Sequence, residues 1–228
     1  MTARSRWDRE IIYGLIPPAA TVLDLGCGNG ELLSRLMADK QVKGYGIDRD
    51  ITCITRAVAR GVPILHADLE ESLAWFPDAF FDFVVLEQTL HVLRRPFLVL
   101  GEMLRIGRAA IVSFPNFAHW QVTSTLTRTG RLPSSFSRSR RGREMNIYPL
   151  TAHDFLDWAR ERGATVVQAF CLTGGSVLPL LPDRITRAEE VLFLIAPAGD
   201  VRAGSVAGGG CPDDTTPRID DATPRIVD

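Results

Sequence analysis

Long apolar runs, paired cysteines and an excess of charge of either sign are all missing from this 228-residue chain. No apolar stretch approaches the roughly 20 residues that cross a bilayer, and residues 1–10 lack the apolar centre of a secretion signal. The expected compartment is therefore the cytoplasm, without membrane attachment. A formal net charge of −1 supplies no global pull toward nucleic acid or an anionic surface. The four cysteines, Cys27, Cys53, Cys171 and Cys211, form no C-x-x-C pair and have no histidine at ligand spacing, which argues against a structural metal site. Cys53 and Cys171 read as buried reduced thiols. What remains, 46% apolar and 23% charged residues, is the composition of an ordinary globular protein with one core.

Apolar periodicity alternates between helix and strand for most of the length. Residues 6–16 predict a short helix, with Trp7, Ile11 and Leu15 four apart and Pro17-Pro18 stopping it. Strands are expected at 21–25, 42–47, 62–66, 80–86, 109–114, 164–171 and 191–196, with helices between most of them. Such alternation implies right-handed βαβ units and a Rossmann-like α/β fold, a mostly parallel seven-stranded sheet with helices on both faces. Thr151-Ala-His-Asp154 matches a capping box opening the last helix.

Two stretches break this rhythm. Residues 116–146 are irregular, and 128–144 hold six arginines against one glutamate, which predicts an excursion over the carboxyl edge of the sheet or a lid. Beyond residue 196 the composition turns to Gly, Ala, Asp, Pro and Thr, with three arginines against six aspartates between 197 and 228. So little apolar surface cannot offset the entropy of ordering. The expected division is a folded domain over 1–196 and a disordered acidic tail over 197–228.

Val22-Leu-Asp-Leu-Gly-Cys-Gly-Asn-Gly-Glu31 carries the chemistry. A strand, a glycine turn and a helix let a nucleotide-like ligand approach the backbone. The dinucleotide pattern G-x-G-x-x-G would need glycine at 31 or 33, where Glu31 and Leu33 stand. Glu31 also puts a carboxylate in the first helical turn, where a pyrophosphate would otherwise sit. S-adenosylmethionine has no phosphate, and its sulfonium and ammonium favour nearby carboxylates. Gly26, Gly28 and Gly30 form the loop, with Cys27 as a small residue that tolerates close backbone approach. Asp24 is placed for the amino-acid end of the ligand. Asp48, 18 residues after Gly30, can accept from both ribose hydroxyls. Asp68 ends the third strand and can meet the adenine amino group, with Leu69 packing on the ring.

These acids and this loop resemble the class I methyltransferase pattern. The likeness extends to the methionine biosynthesis protein MetW family through Ile16-Pro-Pro, Val42-Lys-Gly-Tyr-Gly, Ala59-Arg-Gly-Val, Gln88-Thr-Leu, Arg94-Arg-Pro, Glu102-Met-Leu-Arg, and above all Ile111-Val-Ser-Phe-Pro-Asn-Phe with His119-Trp. The resemblance covers about residues 7–196. It implies an S-adenosyl-L-methionine site and a role in methionine supply beside a homoserine O-acyltransferase. Relatives of this type read Trp-Tyr-x-Thr-Pro-Asn-Ile-His-Phe where this chain has Arg141-Gly-Arg-Glu-Met-Asn-Ile-Tyr-Pro149, without the aromatic pair or the histidine.

Two classes of function stay open, one read from the residues and one implied by the resemblance. A methyltransferase acting on a small molecule would use positioning and a general base. Glu87, directly after the fourth strand, is the best-placed catalytic candidate, followed by Gln88, His91, Asn116 and His119. Equally, Glu87 could hold the cofactor loop. The other class, which the resemblance implies, is an accessory or regulatory partner, for which the arginine-rich loop would be a docking surface. Binding to nucleic acid is disfavoured, since Phe136 is the one aromatic residue among those arginines.

Overall fold

The computed structural model describes residues 7–133 and 147–198. The expected tail beyond Ala198, and Arg138, Arg140, Arg141 and Arg143 of the basic loop, lie outside the described residues. In chain order the elements are α1 (Trp7–Leu15), β1 (Thr21–Leu25), α2 (Glu31–Lys40), β2 (Lys43–Asp48), α3 (Ile51–Ala59), β3 (Ile64–His66), α4 (Leu69–Ser72), β4 (Phe81–Glu87), α5 (Pro96–Ile106), β5 (Gly107–Pro115), α6 (Trp120–Thr129), α7 (Ala152–Glu161), β6 (Thr165–Thr173), β7 (Ser176–Pro179) and β8 (Glu190–Ala196). Short 3₁₀ turns stand at Leu73–Trp75, Leu90–Val92 and Pro182–Arg187.

The sheet order is β3-β2-β1-β4-β5-β8-β6-β7. The first five strands pair in parallel, while β8, β6 and β7 join antiparallel. The sheet thus has eight strands, not the seven expected from apolar runs. The additional strand is four residues long, and its Pro179 confines it to an edge position. It forms a hairpin with β6 through Gly174-Gly175, both at positive φ (58° and 83°). That two-residue glycine turn is the hairpin signal that points to it.

Alternate residues of each strand point to opposite faces, so the sheet builds two cores. Leu23, Leu25, Val84, Leu86, Ala110, Val112 and Phe114 meet α5 and α7 on one face. Val22, Phe83, Val85, Ala109 and Ile111 meet α1 and α2 on the other. The capping box of α7 is present: Thr151 Oγ1 accepts from the Asp154 N–H (3.1 Å), and Asp154 Oδ2 accepts from the Thr151 N–H (3.0 Å). Its predicted apolar face, Phe155, Trp158 and Ala159, is buried.

Two local readings change. In α1 the deepest line is Asp8, Ile12 and Ile16, one position on from the expected Trp7, Ile11 and Leu15, which are half-buried. And within the stretch expected to be irregular, Trp120–Thr129 forms a helix that buries Val122 alone.

Candidate functional site

The strand order reverses between β1 and β4, since β1 continues to β2 on one side and β4 to β5 on the other. Connections leave in opposite directions there, which opens a crevice at the carboxyl ends of the strands, the usual ligand position in such sheets. Asp24 and Glu87 stand at the two lips. Asp24 is buried.

The glycine loop fills the floor of this crevice. Gly26, Gly28 and Gly30 all take positive φ, at 70°, 57° and 70°. The Gly26 and Cys27 N–H groups donate to Ile47 O (2.8 and 3.1 Å), fixing the loop to β2. A Cβ at Gly28 would meet nothing within 4 Å; that position faces open space, and backbone there is accessible to a ligand. Cys27 turns the other way. A Cβ on Gly46 of β2 would fall 2.5 Å from Cys27 Sγ, so glycine at 46 is what makes room for the thiol. Burial, reinforced by Asp24 and Asp48, pushes the Cys27 thiol far above its ordinary range. It stays protonated and is no nucleophile.

Asp48 binds the loop directly. Its Oδ2 accepts from the Gly28 N–H and its Oδ1 from the Asp50 N–H, both at 2.8 Å. A carboxylate has about four lone-pair positions, so each oxygen keeps capacity for a further donor. Asp68 lies one strand further out and caps α4, its Oδ1 accepting from the Glu70 N–H at 2.9 Å. Its Oδ2 is 3.8 Å from Arg94 Nη2. Leu69 is buried in the core that includes Ile47 and Leu73.

Glu87 is 8% exposed and paired with Arg9 of α1, whose Nε lies 3.3 and 3.4 Å from its two oxygens. The same guanidinium donates through Nη1 to Glu31 Oε2 at 2.6 Å. Arg9 thereby ties the end of β4 to the first residue of α2 across the loop. Burial works against the Arg9 charge, but Glu87 and Glu31 more than offset it and hold the group protonated. Arg9, in turn, lowers the Glu31 pKa.

Beside this pair, α1 is anchored by a polar cluster that no local pattern announced. Ser113 Oγ donates to Asp8 Oδ2 (2.8 Å), and the Gln88 amide bridges Asp8 (3.2 Å) and Glu190 (3.1 Å). Trp7 Nε1 donates to Glu190 Oε2 at 2.7 Å. Gln88 adopts φ 50° to do this, a strained conformation for a residue with a side chain.

The remaining candidates separate. Asn116 is fully buried and structural: its Nδ2 donates to Ile185 O (2.7 Å) and Ala188 O (3.0 Å), and its Oδ1 accepts from the Ala118 and Ala152 N–H groups. His119 lines a cleft of about 450 Å³ with Trp120, Thr173, Gly174, Arg187 and Glu189, where β5 and β6 end. Burial lowers its pKa against a smaller upward pull from Glu189. His91 is the middle residue of the Leu90–Val92 turn, with Nδ1 buried and unbonded. Among the described residues no helix is long and apolar enough to cross a membrane, and no cluster of His, Cys, Asp or Glu could hold a metal ion.

Known proteins share this architecture. The chain has the fold of an S-adenosylmethionine-dependent methyltransferase from Thermotoga maritima, with a TM-score of 0.62 and 16% identity, over 83% of this chain and 87% of that one. It is also similar in fold to the [4+2]-cyclase SpnF (TM-score 0.59, 15% identity, covering 84% and 81%), so the same scaffold carries more than one chemistry. In sequence it is 37% identical over 136 residues to the bifunctional methionine biosynthesis protein MetXA/MetW of Rhodopirellula baltica, spanning 56% of this chain but only 22% of that relative's length. A family model for the methionine biosynthesis protein MetW matches residues 6–188. On that match, the chain belongs to the MetW family of methionine biosynthesis proteins.

Proposed function

We propose that the chain is an S-adenosylmethionine-binding accessory or regulatory partner of homoserine O-acyltransferase. The observation that carries the partnership is the Rhodopirellula baltica relative, in which a MetW segment is joined to a MetXA segment in one polypeptide. Segments fused in one chain work at high effective concentration, and separate chains of the same types achieve this by binding. The ligand reading rests on the crevice. Asp24, Glu31, Asp48 and Glu87 surround the glycine loop, with Asp68 one strand away. Such a set repels a pyrophosphate and attracts a sulfonium and an ammonium. Gly28 leaves the floor open, and Asp48 retains acceptor capacity for ribose hydroxyls. The bound ligand would supply an activated methyl group, and it is also the downstream product of methionine, which suits it to report methionine supply.

Calorimetry with S-adenosylmethionine and its demethylated product tests the ligand. Asp48→Ala should weaken binding by about 1.5–3 kcal/mol, the scale of hydrogen bonds to a charged group. Tight NAD binding without response to either adenosyl ligand would overturn it. Co-purification from native cells tests the partner, and an acyltransferase must come down with the tagged chain.

A second reading, a methyltransferase acting on a small molecule, is favoured by the 450 Å³ cleft beside His119, of the size that small ligands fill. In that reading Glu87 is the base, and Glu87→Gln abolishes methyl transfer.

A further inference from the structure

We infer that Arg9 is the receptor for the α-carboxylate of the adenosyl ligand, so that α1 reads whether the ligand's amino-acid end is intact. The inference rests on the adenosyl-ligand reading above and names the group that completes it.

The crevice has an excess of anionic side chains, which suits two of the ligand's charged groups but not the third. The sulfonium and ammonium are cations and find Asp24, Glu31 and Glu87. The carboxylate is an anion, and among those acids it would be repelled unless a cation received it. Among the described residues two guanidinium groups contact the acids of the loop. Arg60 reaches Glu31 at 3.6 Å but spends Nη1 on the Asn29 and Arg56 carbonyls (3.0 and 3.4 Å) and is 38% exposed, against 22% for Arg9. Arg9 lies between Glu31 and Glu87, the second of which stands at the lip of the crevice.

The donor count of Arg9 is the specific sign. Nε serves Glu87 and Nη1 serves Glu31, while Nη2 makes no hydrogen bond among the described residues. A guanidinium has five N–H donors in a fixed fork. Here two acids lock its orientation, and three of the five N–H groups, both on Nη2 and the second on Nη1, have no partner among the described residues. A carboxylate can accept from two of these N–H groups and matches the group in charge. The two glutamates also explain how a half-buried cation stays in place before a ligand arrives. Glu87 then acts twice, orienting Arg9 and adding its negative charge to the field that attracts the ammonium.

The test compares S-adenosylmethionine, S-adenosylhomocysteine and decarboxylated S-adenosylmethionine by calorimetry on the full chain. Wild type should bind the two carboxylated ligands about tenfold or more tightly than the decarboxylated one, as for loss of one charge-assisted bond. Arg9→Gln should erase the preference by losing affinity for the carboxylated ligands alone. Affinity for the decarboxylated ligand should hold or rise, because removing Arg9 leaves the site more negative. Arg60→Gln should keep the preference. Arg9→Lys, which retains charge without the fork, should keep part of it and guards against misfolding of Arg9→Gln. Equal wild-type affinity for all three ligands, or a preference that survives Arg9→Gln, would overturn the inference while leaving ligand binding intact. Absence of wild-type binding to any of them would instead overturn the adenosyl reading, and this inference with it.

Discussion

Acidification should weaken the fold through His91 well before most carboxylates titrate. His91 is the middle residue of the turn that follows β4, its ring is partly buried with Nδ1 enclosed and without a partner, and burial lowers its pKa to about 4 from an ordinary 6.5. Between those two values the unfolded chain holds a proton that the folded chain refuses, so stability rises with pH across this window. It is fully present above pH 6.5 and lost as pH falls toward 4. Integrated over the window, one such group is worth about 3 kcal/mol, a large share of a typical domain's about 5–15 kcal/mol. The assay is urea unfolding of wild type and His91→Gln at pH 7.5, 6.5, 5.5 and 4.5. Glutamine does not titrate, so subtracting the two curves, after removing their offset at pH 7.5, isolates the imidazole. Wild type should lose more than the variant, and the gap should widen steadily below pH 6.5. Parallel curves, or a ring titrating near 6.5 by NMR in the folded protein, would refute the reasoning. The effect also bears on the site, because His91 follows Glu87 by four positions. Its carbonyl accepts from the Tyr148 N–H at 2.8 Å, so a charged His91 would loosen the segment that leads into α7.

Two further outcomes can be checked by unfolding measurements. Gly46→Ala places a Cβ 2.5 Å from Cys27 Sγ and should destabilise by about 1–3 kcal/mol, the usual penalty for overpacking; adding Cys27→Ala should restore most of it, and an unaffected single variant would show that the loop can yield. Asn116→Ala removes the side-chain partner of two carbonyls and two N–H groups, of which Ile185 O alone keeps a second donor among the described residues, the Ala188 N–H (3.3 Å), and should cost about 2–4 kcal/mol, the scale of one to two unsatisfied buried groups, whereas ligand affinity should be nearly unchanged in the folded fraction.

The first half of the fold is legible in the sequence because its determinants are local. Asp24, the three glycines and Asp48 lie within 25 positions, and strand, turn and helix follow from neighbouring residues. Most strand boundaries fall within two residues of those expected, and the capping box at Thr151 is present because it is one local hydrogen-bonded motif. β7 escapes notice because four residues ending in proline carry little apolar signal, although Gly174-Gly175 announces the turn. The helix at Trp120–Thr129 escapes for a different reason: five of its ten residues are threonine or serine, which have low helix propensity and read as loop.

The electrostatic part of the site is illegible for a reason of topology. Arg9 meets Glu31 across 22 positions and Glu87 across 78, and Asp8 meets Ser113 across 105. Nothing in the sequence around α1 distinguishes those partners from the solvated charges of any helix. The offset of α1 carries the same information. Its buried line runs through Asp8 rather than Trp7 because a hydrogen-bonded carboxylate can be buried where an unsatisfied one cannot, and that rotation turns Arg9 toward the loop. The apolar spacing of α1 therefore predicts a helix correctly and its orientation wrongly. The orientation is what brings a cation to a crevice otherwise lined by acids. Asp8, one residue before Arg9, is thus a positioning residue for the guanidinium, and the helix that looks like a plain N-terminal cover becomes one wall of the crevice.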